Sequence, residues 1–305
     1  MNPPNANNPH TVAVFANPFS GARPNRDIIQ NLCEALKDRN LTPLQIWSPT
    51  ELQHAIEAGQ LNPQHCRALI AAGGDGTLSV AVNAQPPVPI ALYPLGTENL
   101  FAKHFGFTRS APFIADAIAR NKTKTIDLAS VGDHRFTCVA SAGYDADVVH
   151  RLAAWRHEHP TETRRITRSS YLSFIFKSIA HYRFTPIVLE ADGNQYTGSL
   201  AMVFNVPRYG LGFDPCPDGS PTDGLMDFVI YGHGGVINST KYAIATYLRR
   251  HTHLPSVHTG KAKHITIRSA DGSLVPFEID GDEAGHTPRT LTSLPNALTI
   301  IDTQS

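Results

Sequence analysis

Along the first part of the chain, short apolar runs alternate with stretches whose apolar residues recur every three or four positions. TVAVFANP, at 11–18, is β-rich and stopped by Asn-Pro, which predicts a buried strand. Over 26–38, Ile28, Ile29, Leu32, Cys33 and Leu36 fall at helical spacing. PLQIW predicts a strand and SPTELQHAIEAG a helix, capped at Ser48 or Thr50 and ended by Gly59. RALIAAGGDG then carries a strand into a glycine loop that opens the helix TLSVAVNAQ. PIALYPLGT is a strand into a second loop, followed by the helix ENLFAKHFG. Buried strands alternating with helices predict a parallel α/β sheet.

The rhythm changes after TKTIDLASVGD, at 123–133, where strands follow one another closely. RFTCVASAGY, PIVLEADGNQYTGSLAMVFNV, LMDFVIYGHG, HITIRSADGSLVPFEIDG and ALTIID read as antiparallel β structure. ADGN and ADGS read as hairpin turns, because Asp, Asn and Gly tolerate positive φ. Helices are expected as insertions at roughly 145–182 and 236–250. The expectation is therefore a polar tail over 1–10, an α/β domain with a parallel sheet over 11–128, and an antiparallel β-rich, sandwich-like domain over 129–305. The last strand is allowed to return to the first domain.

Composition narrows the function classes. The chain of 305 residues carries 26 Lys and Arg against 26 Asp and Glu, so no global field recruits nucleic acid. No segment approaches the roughly 18 consecutive apolar residues of a membrane span. The start, MNPPNANNPH, lacks the basic and apolar regions of a signal peptide. Cys33, Cys66, Cys138 and Cys216 form no CxxC pair, which argues against a disulfide framework or structural zinc and for a cytoplasmic chain. The 15 histidines are scattered without an acid ladder, so metal binding by them is not expected.

The chemistry concentrates in AAGGDGTLSVAVNA, at 71–84. A strand ending in GGDGT at a helix start presents backbone N–H groups at a positive helix end, and glycines let a bulky anion approach them. Asp75 distinguishes this loop from a plain anion cradle; a carboxylate beside phosphates makes sense with Mg²⁺ between them. The alternative is a tight turn whose acid caps the helix. NPFSG ends the first strand and PLGTEN the fourth, so three polar, glycine-bearing loops belong to one edge of the parallel sheet, where ligands bind. Neither GxxxxGK[ST] nor GxGxxG is present, which excludes those two nucleotide folds.

NPxSG, GGDGT, PLGTxN, an IDL strand, DGxxD and a late DG motif, in this order over about residues 11–302, resemble the diacylglycerol kinase catalytic family. That family includes bacterial lipid kinases and sphingosine and ceramide kinases, and is more distantly similar to NAD kinase. The resemblance implies an ATP-binding α/β domain, a β-rich second domain and an active site in the cleft between them. It implies that Gly73, Gly74, Asp75, Gly76 and Thr77 bind the nucleotide phosphates, that Asn17, Ser20 and Gly21 form the nucleotide wall, and that Ser48, Thr97 and Asn99 make further ATP contacts. By the same resemblance SPTDGLMD is a structural Mg²⁺ loop, with Asp223 as side-chain ligand and the carbonyls of Ser220 and Leu225 completing it. Asp280 of FEIDGDEAG falls at the family's general base, and its other reading is an Asp-Gly hairpin turn. Asp75 and Asp127 are candidate acids of the Mg²⁺ network; Asp127 also reads as an acid at a strand end.

Two departures bear on turnover. The family reads PLGTxNDFAR where this chain reads PLGTENLFAK, so Leu100 replaces an acid and Glu98 adds one. The late motif is DGDEAG rather than DGE, which leaves Asp282 or Glu283 to take the Glu position.

Residues 151–184 hold seven Lys or Arg against two Glu, beside Tyr171, Leu172, Phe174, Ile175, Phe176 and Ile179. Such a helix either rests on anionic lipid and passes a lipid hydroxyl to the site, or packs its apolar face on the core. The expected function is ATP- and Mg²⁺-dependent phosphorylation of a diacylglycerol-like or sphingoid lipid at a membrane surface, by a cytoplasmic chain that is peripheral there and compatible with a homodimer. The alternatives are NAD kinase-like phosphorylation of a soluble nucleotide, and a non-catalytic nucleotide- or lipid-binding protein on a decayed kinase scaffold.

Overall fold

The computed structural model describes residues 10–16, 26–159, 174–175, 178 and 181–304. The chain forms two compact units, one of Met1–Ile126 with Asn296–Ser305 and one of Asp127–Pro295. The division falls within β5 (Thr123–Val131) at one point and within β16 (Arg289–Ile301) at the other.

The first unit alternates β1 (Thr11–Ala16), α1 (Arg26–Lys37), β2 (Thr42–Ile46), α2 (Pro49–Glu57), β3 (Cys66–Gly73), α3 (Asp75–Asn83), β4 (Ile90–Pro94), α4 (Leu100–Phe105) and α5 (Ala111–Arg120). Its strands pair in the order β2-β1-β3-β4, all parallel, and the end of β16 joins β4 in parallel through Ile300 and Ile90. All eight residues of β3 are buried, as expected for a central parallel strand covered on both faces. α1 shows why its pattern folds as it does: Ile29, Leu32, Cys33 and Leu36 are buried on one stripe, and α1 packs against α5. The chain turns from one side of β1 to the other between β2 and β3, so the carboxyl ends of β1 and β3 flank the switch point of the sheet.

The second unit is antiparallel. One sheet runs β12 (Val257–Ala262), β11 (Met226–Tyr231), β10 (Leu200–Phe204), β7 (Val139–Gly143), β14 (Pro276–Ile279), β15 (Asp282–His286). In the other, β13 (His264–Ser269) lies between the start of β16 and β8 (Ile187–Ala191), with β9 (Asn194–Gly198) outside β8. β6 (His134–Phe136) pairs with the end of β5. One apolar core takes Ala140, Val203, Phe228 and Phe277 from the first sheet and Leu189, Ile265, Ile267 and Leu291 from the second. Among the described residues, α6 (Tyr144–Glu158) and α7 (Val236–Tyr247) fall in the two regions where inserted helices were expected. Of the apolar set expected on a helix over 151–184, only Phe174 and Ile175 are among the described residues.

The two Asp-Gly turns behave differently. Asp192 and Gly193 take φ of 45° and 88° and close the β8–β9 hairpin, the positive-φ pair that a two-residue turn requires. Asp271-Gly272 is not a hairpin, because β13 and β14 belong to different sheets. The alternation on either side could not reveal which sheet each strand would join.

Candidate active site

In the first unit, the GGDGT and PLGTEN loops touch through their backbones. A Cβ on Gly96 would stand 2.6 Å from the Cα of Gly74, and one on Gly74 would stand 3.2 Å from the Cα of Gly96. At 96 only glycine allows this approach, and at 74 any larger residue would press on the facing backbone. Gly73 is required for another reason, since a Cβ there would overlap the buried Thr77 side chain at 2.1 Å from Oγ1. Gly76 has nothing within 4 Å of the equivalent position and is exposed, so the cradle is open on that side.

Asn99 and Asp75 hold the second loop against the first. Asn99 adopts φ 50°, ψ 56°, and its side chain brackets Gly96: Oδ1 accepts from Gly96 N–H at 3.0 Å and Nδ2 donates to Gly96 C=O at 2.7 Å. With Asn99 so used, the first turn of α4 takes its cap from Asp75, whose Oδ2 and Oδ1 accept from Leu100 N–H at 3.0 Å and Phe101 N–H at 3.2 Å. Asp75 therefore reads Leu100 through its backbone, a contact that any residue at 100 offers. Glu98 pairs instead with Lys103 at 3.2 Å. α3 begins at Asp75 with no side-chain cap on its first turn, so its positive end faces the open side of the glycine loop.

The other nucleotide contacts expected from the sequence are less closely gathered. Thr97 is exposed at the tip of the PLGT loop. Ser48 caps α2, accepting from Glu51 N–H at 3.1 Å. Asn17, Ser20 and Gly21 lie outside the described residues.

In the second unit, the loop expected to hold a structural Mg²⁺ is organised around an ammonium. Lys261 Nζ lies 2.7 Å from Asp223 Oδ2 and 3.0 Å from Asp227 Oδ1. The other Asp223 oxygen accepts Leu225 N–H at 3.1 Å, and Asp227 Oδ2 accepts Ser220 N–H at 3.2 Å. Asp127 is buried and accepts Gly224 N–H at 2.7 Å, while its own N–H donates to Pro221 C=O at 2.7 Å. The set Ser220, Asp223, Leu225 and Asp127 thus does not fit a divalent cation as arranged, because Lys261 already neutralises the carboxylate that would bind it. Asp127 anchors the loop, and the local cation is a side chain distant in sequence. Among the described residues, no group of three or more His, Cys, Asp or Glu is disposed to hold a metal.

Asp280 sits at the first position of the β14–β15 hairpin turn, with φ 50° followed by Gly281 at 85°. Its Oδ1 accepts Cys138 N–H at 2.8 Å and Val139 N–H at 3.0 Å; its Oδ2 accepts Thr137 N–H at 2.8 Å and Thr137 Oγ at 3.0 Å. A carboxylate offers about four lone-pair positions, and here four donors use them. In this arrangement Asp280 holds the start of β7 and has no lone pair directed at an acceptor hydroxyl.

Beside it lies a pair of acids that the sequence pattern concealed. Glu278 on β14 is 2 % exposed; its Oε2 accepts Gly281 N–H at 2.9 Å, and its Oε1 has no hydrogen-bond partner. Ser141, opposite Glu278 in the β7–β14 register, gives its proton to Asp145 Oδ2 at 2.8 Å, and Tyr209 donates to Asp145 Oδ1. Burial, and then the charge of Asp145, hold the Glu278 carboxyl well above the usual carboxylate range; burial also raises Asp145. The only hint in the sequence was an acid inside the apolar run VPFEI.

This pair has a pH signature. Between the unfolded and folded pKa of Glu278 the native state holds more protons than the unfolded chain, so stability falls as pH rises through the folded value. The melting temperature should therefore decline as pH rises above the unfolded glutamate value of about 4.3, and Glu278→Gln should flatten that decline by removing the titration. Thermal unfolding of both proteins across this range checks it. A wild-type profile that rises with pH, or a variant that keeps the wild-type slope, would remove Glu278 as the cause.

Comparison with known proteins agrees with this layout. Residues 11–131 match the family model for the diacylglycerol kinase catalytic domain, and residues 138–302 match the YegS C-terminal NAD kinase beta sandwich-like domain. A diacylglycerol kinase of Mycobacterium tuberculosis (strain ATCC 25618 / H37Rv) is 26 % identical over 303 residues, covering 95 % of this chain and 94 % of that one. A diacylglycerol kinase of Bacillus subtilis (strain 168) is 25 % identical over 244 residues, covering 76 % and 77 %. The fold is shared with a crystal structure of a diacylglycerol kinase from Bacillus anthracis str. Sterne, at TM-score 0.68 and 18 % identity over 96 % of this chain and 97 % of the other. With both halves matched in order, and the glycine loops in contact where the first of them ends its strands, the chain belongs to the diacylglycerol kinase family, phosphotransferases that use an alcohol group as acceptor.

Proposed function

We propose that the chain transfers the γ-phosphate of ATP to a hydroxyl of a lipid of the diacylglycerol or sphingoid type, working peripherally at a membrane surface. The observation that carries the donor half is the Gly74–Gly96 contact, which sets two glycine loops side by side at the uncapped start of α3. Backbone N–H groups and a positive helix end suit phosphate oxygens, and Gly76 leaves the approach open. Asp75 is the carboxylate that would hold Mg²⁺, directly or through water, beside the phosphates. When bound, Mg²⁺ supplies neutralisation of the γ-phosphate charge. The protein's own part is positioning: Asn99 and Asp75 fix the two loops relative to each other, so the phosphate chain meets a preorganised surface. Asp280 acts in this reading as a positioning residue, holding residues 137–139.

The acceptor class rests on the relatives' names and on the match of both halves. No helix of the described residues is long and apolar enough to cross a membrane. The test is transfer of radiolabelled phosphate from ATP, with Mg²⁺ or with chelator, to diacylglycerol, sphingosine, phosphatidylglycerol and NAD. A labelled lipid that requires Mg²⁺ is the expected result. Label on NAD alone would move the chain to soluble-nucleotide phosphorylation, and ATP binding without transfer to any acceptor would make it a binding protein.

A further inference from the structure

α7 is inverted relative to an ordinary surface helix. It buries Ser239, Tyr242 and Thr246, while Ile237 is 84 % exposed, Tyr247 66 %, and Ile244 and Leu248 57 % each. Positions 237, 241, 244 and 248 lie on one stripe at helical spacing, and 239, 242 and 246 on the opposite one. The orientation is locked rather than accidental. Tyr231 Oη and Thr246 Oγ are 2.9 Å apart, Tyr242 Oη and Ser256 Oγ 2.8 Å, and His233 N–H donates to Tyr242 Oη at 3.1 Å. Rotating the helix to hide its isoleucines would break all three.

The apolar surface continues beyond the helix. The Phe213 ring meets Tyr247 edge-on at 6.2 Å between centroids, and Leu211, two residues before Phe213, is exposed. The stretch that carries the helix is rich in cations. Residues 228–270 contain six Lys or Arg and no Asp or Glu, in a chain whose net charge is zero. Of the six, Lys261 pairs with Asp223 and Asp227, and Arg249 with Asp214; Lys241, in the middle of the apolar stripe, and Arg250, just after it, are exposed. Exposed apolar anchors with a lysine among them and no acid on the helix itself fit an interfacial helix, whose isoleucines enter the headgroup boundary while the cation meets lipid phosphate.

We infer that the outer face of α7, with Phe213 and Leu211, is the surface by which this protein rests on an anionic membrane. The inference deepens the lipid-kinase reading and shares with it only the premise that the chain works at a bilayer.

The test uses the full-length chain and vesicles of phosphatidylcholine alone or with phosphatidylglycerol, at low and high salt. Wild type should float with the anionic vesicles and bind the neutral ones at least about tenfold less, the difference shrinking with salt. Ile237→Glu combined with Ile244→Glu should lose at least about tenfold in partitioning, because both side chains are exposed and neither supports the core. Ile244→Trp provides an independent readout, a fluorescence blue shift on adding anionic vesicles. The inference is overturned if wild type fails to float, if the double variant floats equally, or if the tryptophan emission does not move. It is also overturned if sedimentation shows a wild-type dimer that the double variant abolishes, since the face would then meet a second copy. Failure of the two readings is separable. Vesicle binding that depends on α7 without any lipid phosphorylation keeps the membrane face and removes the kinase reading. Phosphorylation of lipid with no vesicle binding does the reverse.

Discussion

Gly96→Ala should abolish productive phosphoryl transfer, while Gly76→Ala should leave the fold intact and weaken only nucleotide binding. The added methyl at 96 meets three things at once: Gly74 Cα at 2.6 Å, Asn99 Oδ1 at 2.8 Å and Gly74 N at 3.4 Å. Two of these are backbone atoms, so no rotamer change relieves the contact and one loop must move. Overpacking of this kind costs about 1–3 kcal/mol. The kinetic cost is larger, because a displacement of about 1 Å in a positioning element can cost about 10²-fold in rate. Moving Gly96 also strains the Asn99 bracket, and through it the α4 start that Asp75 caps. Gly76 provides the contrast, with open space around it. A methyl there meets no protein atom but stands where phosphate would approach, so calorimetry should show weaker ATP binding at an unchanged melting temperature. If Gly96→Ala keeps wild-type turnover, the loop contact is not part of the site. If Gly76→Ala binds ATP normally, the open side of the cradle is not where the nucleotide lies.

Much of this arrangement was legible before any coordinates, and the reason is local. A buried strand, three glycines and an acid at a helix start are contiguous in sequence, so the β3–α3 turn follows from neighbouring residues. The parallel sheet was legible for the same reason, since its strands and helices alternate along the chain. What the pattern could not supply was long-range pairing. Lys261 reaches Asp223 and Asp227 only because β11 and β12 are adjacent strands that bring 227 and 261 into register. Glu278 is one acid inside an apolar run in the sequence, and only the β7 pairing sets Ser141 beside it. The Asn99 bracket around Gly96 depends on a left-handed backbone that PLGTEN permits but does not announce. Asp271 and Asp280 show the limit most clearly. Each precedes a glycine after a β-rich run, yet one turn links two sheets and the other closes a hairpin.

Asp280→Asn is the second substitution of large effect, and the structure changes the expected symptom. A general base replaced by its amide should lose about 10²–10⁴ in kcat at normal stability. A carboxylate that accepts four hydrogen bonds should instead lose stability. The amide keeps one acceptor oxygen and turns an NH₂ group toward donors, so two of the N–H and O–H groups of residues 137–139 are left facing it. Each unsatisfied buried group costs about 1–3 kcal/mol, or about 2–5 kcal/mol for the pair after partial relaxation. For a unit of this size that lowers the melting temperature by roughly 5–15 °C. Thr137 tests the same clamp from the other side. Thr137→Val removes the 3.0 Å hydroxyl contact and leaves the three backbone donors in place, so it should destabilise by only about 1–2 kcal/mol. Urea unfolding of both variants, with kcat measured on the fraction that remains folded, separates the roles. A folded Asp280→Asn protein with unchanged unfolding and a collapsed kcat would restore Asp280 as the base. A strong loss of stability, shared in smaller measure by Thr137→Val, with turnover per folded molecule largely kept, would place Asp280 where its four hydrogen bonds put it, as the residue that fixes the start of β7.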